Sequence, residues 1–557
     1  MKKNLLVLIY LIFITSLAKS QTIPVGSYIE EIARRNQLLG KSDSSASFSV
    51  RPMNSSLYLN DSSLQTLNAS KNLFPKLNPG FPFEVKLLPF SWLSDINPTK
   101  PYGYNNGSLY PNVGYQKRIT GGLYIKAGFL NIQVKPEFVT AANKRYGTFP
   151  IIWFNTTNQK LLNSYFYVVN SIDAPERFGS DPLKKVYAGQ SKITAIYKNI
   201  EAGISTENLW WGPSVRNSIM MSNSAPGFAH WTFNSSKPIQ TKIGSFEWQL
   251  IGGNLKQSGY APLDTGKWLY NYDVSFQPKP KVTRYLSAFT ANWQPKWIHG
   301  FFIGVSGYNY VDKDSTYHKK GFLQKYFPVF AKSSENANTV SSGDNKDYAY
   351  SLYLRQLLTK YNAEIYFEYA RNDRAASFLD FVAEPEHSRA YTIGAIKLFK
   401  LKSDEYLQVK LEATQLERAP TYLVRDAPSW YIHPLSPRDG YTNEGRYIGA
   451  GIGPGGNSFM GDVSFVKGQS SIGINVERRV HNNDLYYNIY KDTGTFDANW
   501  VDLSTMLYAN VVAMKKLLIS AQFARVYTTN YQYYVTPVSR ENQTFFSHIG
   551  VNISYTF

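Results

Sequence analysis

Cysteine is absent from the 557-residue chain, and beyond the first residues there is no long apolar run. Without cysteine there is no disulfide framework and no thiol nucleophile. The seven histidines show no close H-x-H or H-x-x-x-H spacing, so no metal site and no cofactor is predicted. No later run reaches the roughly 20 apolar residues that a spanning helix needs. These absences exclude disulfide-stapled domains, cysteine-dependent catalysis and helical membrane anchors.

The first residues have the pattern of a secretory signal peptide. Lys2 and Lys3 form a positive region, residues 5–17 are apolar, and Ala18-Lys19-Ser20 is a small-x-small cleavage site. We therefore predict that residues 1–20 are removed and that the mature chain acts outside the cytoplasm.

Alternation of apolar and polar residues is the main pattern that the chain does contain. Its mean hydropathy of −0.32 resembles that of a soluble protein, as expected of a β-barrel whose strands alternate lipid-facing and lumen-facing residues. Period-two alternation runs through the C-terminal FFSHIGVNISYTF. It recurs in FLNIQVKPEF, AEIYFEYAR and EYLQVKLEAT. A half-buried edge strand of a soluble β-sandwich is the alternative reading.

Connection lengths favour the barrel, because tight turns alternate with long segments. Outer-membrane barrels combine short periplasmic turns with long outer loops. If both termini are periplasmic, the strand number is even, and the pattern predicts an all-β transmembrane barrel of about 18 antiparallel strands. The predicted strands are 83–94, 114–126, 128–140, 185–197, 200–207, 228–240, 245–256, 281–293, 299–311, 347–358, 362–372, 388–400, 405–418, 455–466, 470–480, 501–514, 516–528 and 543–557.

The segment before the barrel, residues 21–82, is predicted to be a short helical cap or plug on the periplasmic side. Ser27-Tyr28-Ile29-Glu30 is a capping box, and the helix that it begins should stop at Gly40. The following stretch, rich in Ser, Asn and Leu, is compatible with a second helix. A disordered tether is the alternative. Residues 83–557 form the barrel domain.

The stretch ENLWWGPSVRNSIMMSN (207–223) is too apolar for an ordinary surface loop and too broken for a strand. Strand parity places it among the outer loops, where its apolar side chains have no lipid to contact. We therefore expect it to fold into the barrel mouth as a constriction and a candidate floor for a ligand site. Simple packing of its tryptophans is at least as good an interpretation.

Five motifs in matching order resemble the Wzi-type capsule-assembly proteins of the bacterial outer membrane, in a Bacteroidetes branch. They are GGLYIKAGFLNIQVKPEF, APERFG, ENLWWGPSVRNSIMMSNSAPGF, EPEHSRAY and GRYIGAGIGPGGNS. The resemblance covers about residues 83–557. It implies an 18-stranded outer-membrane lectin that retains capsular polysaccharide at the cell surface without catalysis. It does not identify the glycan.

Sugar chemistry suggests the candidate contacts. Aromatic rings stack on sugar faces, planar polar groups fix hydroxyls, and acidic glycans add a need for Arg or Lys. The net charge of +19 suits an acidic capsule or lipopolysaccharide, although lumen lining and interfacial anchors account for part of it. Nucleic acid is not expected at this location. The candidate glycan contacts are Trp210, Trp211, Arg216, Asn217, Arg371, Asp373, Arg374, Glu386, His387, Arg389, Trp430, Tyr431 and Arg446.

Catalysis is not expected. His387 and Ser388 invite a hydrolase reading, but neighbours on a strand point to opposite faces. Glu384 and Glu386 have the spacing of a carboxylate pair, which is common by chance. The remaining alternatives are a pore for small solutes and the barrel of a surface export or motility complex. Other expected partners are outer-membrane lipid, lipopolysaccharide and, during folding, the barrel-assembly machinery.

Overall fold

The computed structural model describes residues 21–55, 62–77, 79–147, 156–262, 276–313, 321, 326–330, 346–373, 378–419, 427–434, 438–490, 498–533 and 543–557. The predicted signal peptide lies outside this part of the chain. None of the described helices is both long enough and apolar enough to cross a bilayer.

The chain forms a closed antiparallel barrel of 18 strands. The strands are β1 Phe83–Asn97, β2 Gly114–Ala127, β3 Leu130–Val134 with Glu137–Ala141, β4 Leu183–Tyr187 with Lys192–Tyr197, β5 Ile200–Ser205, β6 His230–Ser235 with Ile239–Thr241, β7 Gly244–Leu255, β8 Arg284–Pro295, β9 Phe301–Asp312, β10 Lys346–Leu358, β11 Ala363–Arg371, β12 Arg389–Lys400, β13 Glu405–Gln415, β14 Asn457–Lys467, β15 Ser470–Val480, β16 Val501–Ala513, β17 Leu517–Thr529 and β18 Gln543–Tyr555. Each strand pairs with its sequence neighbour, and β18 closes the ring on β1.

The predicted barrel, its strand number and its alternation of turns and loops are confirmed. Strand ends differ from the prediction by three residues or fewer, and β3, β4 and β6 are each interrupted once. The even number brings Phe83, at the start of β1, and Tyr555, at the end of β18, to the end of the barrel that carries the short turns.

The two faces of the wall follow the alternation in the sequence. On β11, Glu364, Tyr366 and Glu368 are buried toward the lumen, whereas Ile365 and Phe367 are 54% and 38% exposed on the outer face. Because a strand presents successive side chains to opposite sides, the apolar outer row meets lipid and the polar inner row must find partners inside.

Helices lie before the barrel and in its loops. The N-terminal helix α1, Tyr28–Leu38, begins where the capping box predicts, and the Ser27 side chain accepts a hydrogen bond from the Glu30 backbone amide. A second helix, α2, covers Ser62–Asn68. The loop helices are α3 Thr156–Ser171, α4 Phe378–Ala383 and α5 Asn483–Tyr490, and single 3₁₀ turns cover Pro328–Phe330, Thr359–Tyr361 and Tyr531–Tyr533. The loop helices were not predicted.

Residues 21–55, here called the N-terminal segment, pack against lumen-facing side chains near the short-turn end. Leu38 lies in one apolar cluster with Phe302 and Tyr406, and the Tyr28 hydroxyl donates to the Gln469 carbonyl oxygen at 2.8 Å. The larger apolar core lies inside the barrel, under the long loops. The division of the chain into signal peptide, cap and barrel domains remains a prediction.

Candidate functional site

Residues 207–228, here called the lumen loop, lie inside the barrel. Trp210 and Trp211 are 2% and 0% exposed, and they pair as a short antiparallel ladder with Val50 and Arg51 of the N-terminal segment. The Trp211 indole donates to Gln249 Oε1 on the wall at 2.9 Å. The apolar residues of this loop therefore avoid water by packing inside the lumen.

The turn at the centre of the lumen loop is held from both sides. The Glu412 carboxylate of β13 accepts the backbone amides of Val215 at 2.7 Å and Asn217 at 2.6 Å. From the other side, Arg34 donates to the Pro213 carbonyl oxygen at 2.6 Å. Gly212 has a φ of 89°, and a Cβ there would come within 2.8 Å of a glutamate oxygen of the wall, so glycine is required.

Arg51 joins the two segments. Its guanidinium pairs with Glu30 at 2.6 Å, donates to the carbonyl oxygens of Gly212 and Ser214 at 3.0 and 2.9 Å, and lies 4.8 Å from the Trp210 ring centroid. Burial is the largest influence on this arginine, and it lowers the pKa. A buried cation with one carboxylate and two carbonyl partners is a strong structural tie.

Arg216 also finds a partner within the protein. It pairs with Glu477 at 2.7 Å and lies 4.2 Å from the Tyr104 ring centroid. Burial would lower the pKa of Arg216, but the Glu477 carboxylate and the Tyr104 phenol outweigh it and hold that pKa well above its ordinary value. The side chain is 22% exposed and lines an internal cavity, so it remains within reach of a ligand.

The second half of the candidate set extends the core around the lumen loop. Trp430 and Tyr431 are buried in the same apolar cluster as Trp211. The Tyr431 hydroxyl donates to the Ile219 carbonyl oxygen at 2.7 Å, and the Trp430 indole donates to the Arg389 carbonyl oxygen at 3.1 Å. These rings are engaged in packing.

Two other candidates, Arg371 and Arg389, adjoin this cluster, and Arg371 is fully buried. Arg371 and Arg389 face each other across β11 and β12, in the register that alternates with lumen-facing residues. Arg371 lies 5.3 Å from the Phe381 ring centroid, and Arg389 donates to the Glu417 carbonyl oxygen at 2.8 Å. Arg374 lies outside the described residues.

His387 and Ser388 lie in the turn before β12, not on the strand. His387 Nε2 is 3.0 Å from Asp373 Oδ2, and its Nδ1 is 3.5 Å from Glu384. The buried Ser388 hydroxyl makes no hydrogen bond within the described structure, so it is not poised against the imidazole as a serine nucleophile would be. Glu386 is exposed, whereas Glu384 is buried.

Arg446 is apart from both groups. Its guanidinium donates to the carbonyl oxygens of Ser108 and Leu109 at 2.8 and 2.9 Å, and lies over the Tyr110 ring at 4.6 Å. It ties two long loops together. The described residues contain no group of three His, Asp or Glu side chains that could hold a metal ion.

The mouth at the long-loop end carries half-buried aromatic side chains that the sequence did not single out. Lys100 Nζ lies 3.7 Å from the Tyr531 ring centroid, and the Trp500 ring is 5.0 Å from Tyr531. His481 stacks on Trp500 at 3.7 Å and contacts Asp502 at 2.7 Å. Burial lowers the pKa of Lys100 to about 8. Rings, a cation and a carboxylate in one place are the groups that saccharides contact.

An internal cavity of about 510 Å³ remains between the N-terminal segment, the lumen loop and the wall of β1–β3 and β13–β18. Its volume falls in the range of roughly 300–1,000 Å³ that is typical of small-molecule sites. Lys135 and Arg118 line it, together with Trp210 and Arg216. The polar face of FLNIQVKPEF indicated that Lys135 is a lumen residue. The sequence did not indicate which charged residues would lie near it, such as Arg118 of β2 and Glu207 of the lumen loop.

No protein-family model matches the chain, and no characterised protein matches it by sequence. Among solved structures, it is similar to Wzi of Escherichia coli, described as an outer-membrane protein involved in group 1 capsule assembly and as a carbohydrate-binding β-barrel. That likeness has 12% identity and a TM-score of 0.53, and covers 97% of this chain and 94% of that one. OprB of Pseudomonas putida follows at 11% identity and a TM-score of 0.35, covering 85% of this chain and 94% of that one. At these identities the likeness is one of fold, namely that of an outer-membrane barrel.

Proposed function

We propose that this protein is an outer-membrane lectin that holds an acidic capsular or extracellular polysaccharide at the cell surface without catalysing a reaction. The proposal rests on one observation: the lumen and the mouth of the barrel differ in what they contain. The lumen is occupied by two interlocked segments, and the mouth at the long-loop end presents aromatic rings beside a cation.

The interlock speaks against free passage through the barrel. Val50 and Arg51 pair with Trp210 and Trp211 across the lumen, and both segments are anchored in the wall, as through Arg34 and Glu364 at 2.6 Å. A solute crossing here would have to break buried ion pairs, which costs about 3–5 kcal/mol for each pair that loses a partner. Binding is therefore favoured over conduction.

Charge and likeness support a glycan as the ligand. The net charge of +19 favours an anionic partner. The similarity to Wzi, a carbohydrate-binding barrel by its description, supports membership of the Wzi type, an outer-membrane location after removal of residues 1–20, and capsule assembly as the role. Lipopolysaccharide around the barrel and the barrel-assembly machinery during folding complete the proposed partners.

The test is binding of purified acidic polysaccharide to the folded, detergent-solubilised barrel. Trp500→Ala removes an aromatic face at the mouth and is expected to weaken binding about tenfold or more, equivalent to about 1.4 kcal/mol. Trp297→Ala is the matched control, because Trp297 is 65% exposed in a turn at the opposite end. Equal loss in both variants, or in neither, would contradict a site at the mouth.

A deletion strain tests the role in the cell. Surface polysaccharide should be released into the medium when the protein is absent; full retention would exclude capsule holding as the role. Arg216→Ala should weaken polysaccharide binding in the purified barrel, because Arg216 is a partly exposed cation on the cavity wall.

A pore for small solutes is the second candidate, because the cavity of about 510 Å³ leaves part of the lumen unfilled. Single-channel recording in planar bilayers separates the two functions. A lectin with an interlocked lumen should pass little current, whereas steady open-channel current through the unmodified barrel would favour the pore.

A further inference from the structure

Lys135 is a buried cation whose ammonium has no contacting partner in the part of the chain that the structure describes. It lies between the two parts of β3, its residue is 7% exposed, and its ammonium makes no hydrogen bond or ion pair with any part of the chain that the structure describes. Glu137 and Glu207 attract the Lys135 ammonium without forming an ion pair or a hydrogen bond with it. Glu137 accepts hydrogen bonds from Ser108 and Gln190, and Glu207 accepts them from residues of β3 and the N-terminal segment. Burial of an unpaired ammonium is costly, so an anion is expected to join it.

A second cation stands beside Lys135. Arg118 of β2 is close enough to repel it, and the only hydrogen bond of the Arg118 guanidinium within the described chain goes to the Asn106 carbonyl oxygen at 3.2 Å. Arg118 Nη1 and Asn223 Oδ1 lie 3.3 and 3.1 Å from the position that a Cβ on Gly107 would occupy. Arg118 therefore lies next to the loops around residues 107 and 223, and Lys135 lines the same cavity.

The carboxylates that line the same cavity have other partners. Glu30 pairs with Arg51, Glu31 with Lys410, and Asp95 with a histidine of β18 at 3.1 Å. Asp462 also contacts Lys410, at 3.3 Å. None of these carboxylates neutralises the two cations beside β3. Glu137 and Glu207 attract Lys135 and offset part of the positive charge, but no carboxylate in the described wall contacts its ammonium.

The surrounding groups suit a sugar. The wall of the same cavity includes the side-chain amides of Asn105, Asn106, Asn223 and Gln190 and the ring of Trp210. Amides can fix hydroxyl groups, an indole can pack on a pyranose face, and Arg with Lys can hold a carboxylate.

We propose that this cavity binds one acidic sugar residue, with Lys135 and Arg118 holding its carboxylate. The proposal rests on the proposed function, since it takes the ligand to be a unit of the retained polysaccharide. It adds a site inside the lumen, separate from the aromatic mouth, and a chemical class: a uronate-like sugar of about monosaccharide size.

Isothermal titration of the folded full-length barrel with D-glucuronate, D-glucose and inorganic phosphate tests the proposal. Glucuronate should bind one equivalent, glucose at least about tenfold more weakly, and phosphate more weakly than glucuronate because it lacks the ring. Phosphate binding as tight as glucuronate binding would reassign the site to a bare anion. Equal binding of glucuronate and glucose, or no glucuronate binding, would overturn the proposal of an acidic-sugar site.

Lys135→Met should reduce glucuronate affinity at least about tenfold. The matched control is Lys117→Met, which removes the same charge from β2 on the opposite face to Arg118. If Lys135→Met does not fold, judged by heat-modifiable electrophoretic mobility, Arg118→Gln decides the question. Wild-type affinity in a folded variant would overturn the assignment.

Polysaccharide retention without glucuronate binding would refute this site alone; glucuronate binding without retention would refute the proposed function.

Discussion

Two sides of the same lumen differ in how their charges are matched. On the side where the N-terminal segment meets the lumen loop, Arg34 and Arg51 face Glu364 and Glu30 at 2.6 Å. On the side of β2 and β3, no carboxylate of the described chain forms an ion pair with Lys135, although Glu137 and Glu207 attract it. The charged residues on both sides are buried inside the same barrel.

The difference separates holding the structure from holding a ligand. A buried ion pair with both members present fixes one arrangement of its elements, and removing one member leaves a charge that no water compensates. A cation that has no contacting carboxylate and lies beside a cavity is available to bind a ligand, because its partner must come from outside the protein. We therefore expect changes on the matched side to alter structure and changes on the unmatched side to alter binding.

The largest expected effect comes from breaking the matched side at Glu364. This carboxylate joins Arg34 of the N-terminal segment to Arg355 of the wall, and all three side chains are at most 6% exposed. Glu364→Ala removes the carboxylate that contacts both buried guanidinium groups, so docking of the segment should weaken by about 3–5 kcal/mol. Limited trypsin digestion should then cleave the segment, and current should appear in planar bilayers.

The neighbouring residue provides the control. Ile365 lies on the outer face of the same strand and is 54% exposed, so Ile365→Ala should leave the segment protected. If Glu364→Ala resists trypsin as well as the unmodified protein does, the two sides of the lumen do not differ in the way proposed.

The strands could be predicted from the sequence, but the partners of the buried charges could not. Alternation with period two is a local property, and a barrel imposes it on every strand, so the strands followed from short windows such as AEIYFEYAR. The partner of Arg216 did not follow, because Glu477 lies 261 positions away and is brought near only when the ring closes. Glu412 binds backbone amides of the lumen loop, and backbone groups leave no mark in a sequence.

The unmatched side was visible only in part. Lys135 was recognised as a lumen residue from its strand, but whether its ammonium contacts a carboxylate depends on the folded positions of Glu137 and Glu207. Among the thirteen candidate contacts, the structure joins the residues of the lumen loop with Trp430 and Tyr431, which adjoin Arg389. Arg446 lies apart from these residues, on Ser108 and Leu109. The part of the candidate contacts in glycan binding stays a prediction.

A smaller effect is expected from pH at Glu31, which borders the cavity. Burial would raise the pKa of Glu31, but Lys410 and Arg35 outweigh it and hold that pKa at about 2. The lowered pKa means that the ionised form stabilises the docked segment fully above about pH 4.5, and that this contribution is lost as the pH falls through 2. Because the side chain is 29% exposed, solvent screening limits it to about 1–2 kcal/mol.

Urea unfolding of the segment, followed by tryptophan fluorescence at several pH values, measures this contribution, because Trp210 and Trp211 pair with the segment. Glu31→Gln should be less stable than the unmodified protein near neutral pH, and the gap should close between pH 4.5 and 2. A gap that stays constant over that range would remove Glu31 from the matched side.

The smallest effect is expected outside the lumen, at the pair of Glu405 and Lys467, which lie at the short-turn ends of β13 and β14. Their atoms approach to 3.0 Å, but the lysine side chain is 65% exposed, so water and salt replace the interaction when it is lost. Glu405→Ala should therefore leave both the unfolding midpoint and the trypsin protection of the N-terminal segment unchanged. A clear loss of protection would mean that charge matching stabilises this barrel wherever it occurs, and the contrast between buried and exposed pairs on which the other expectations depend would fail.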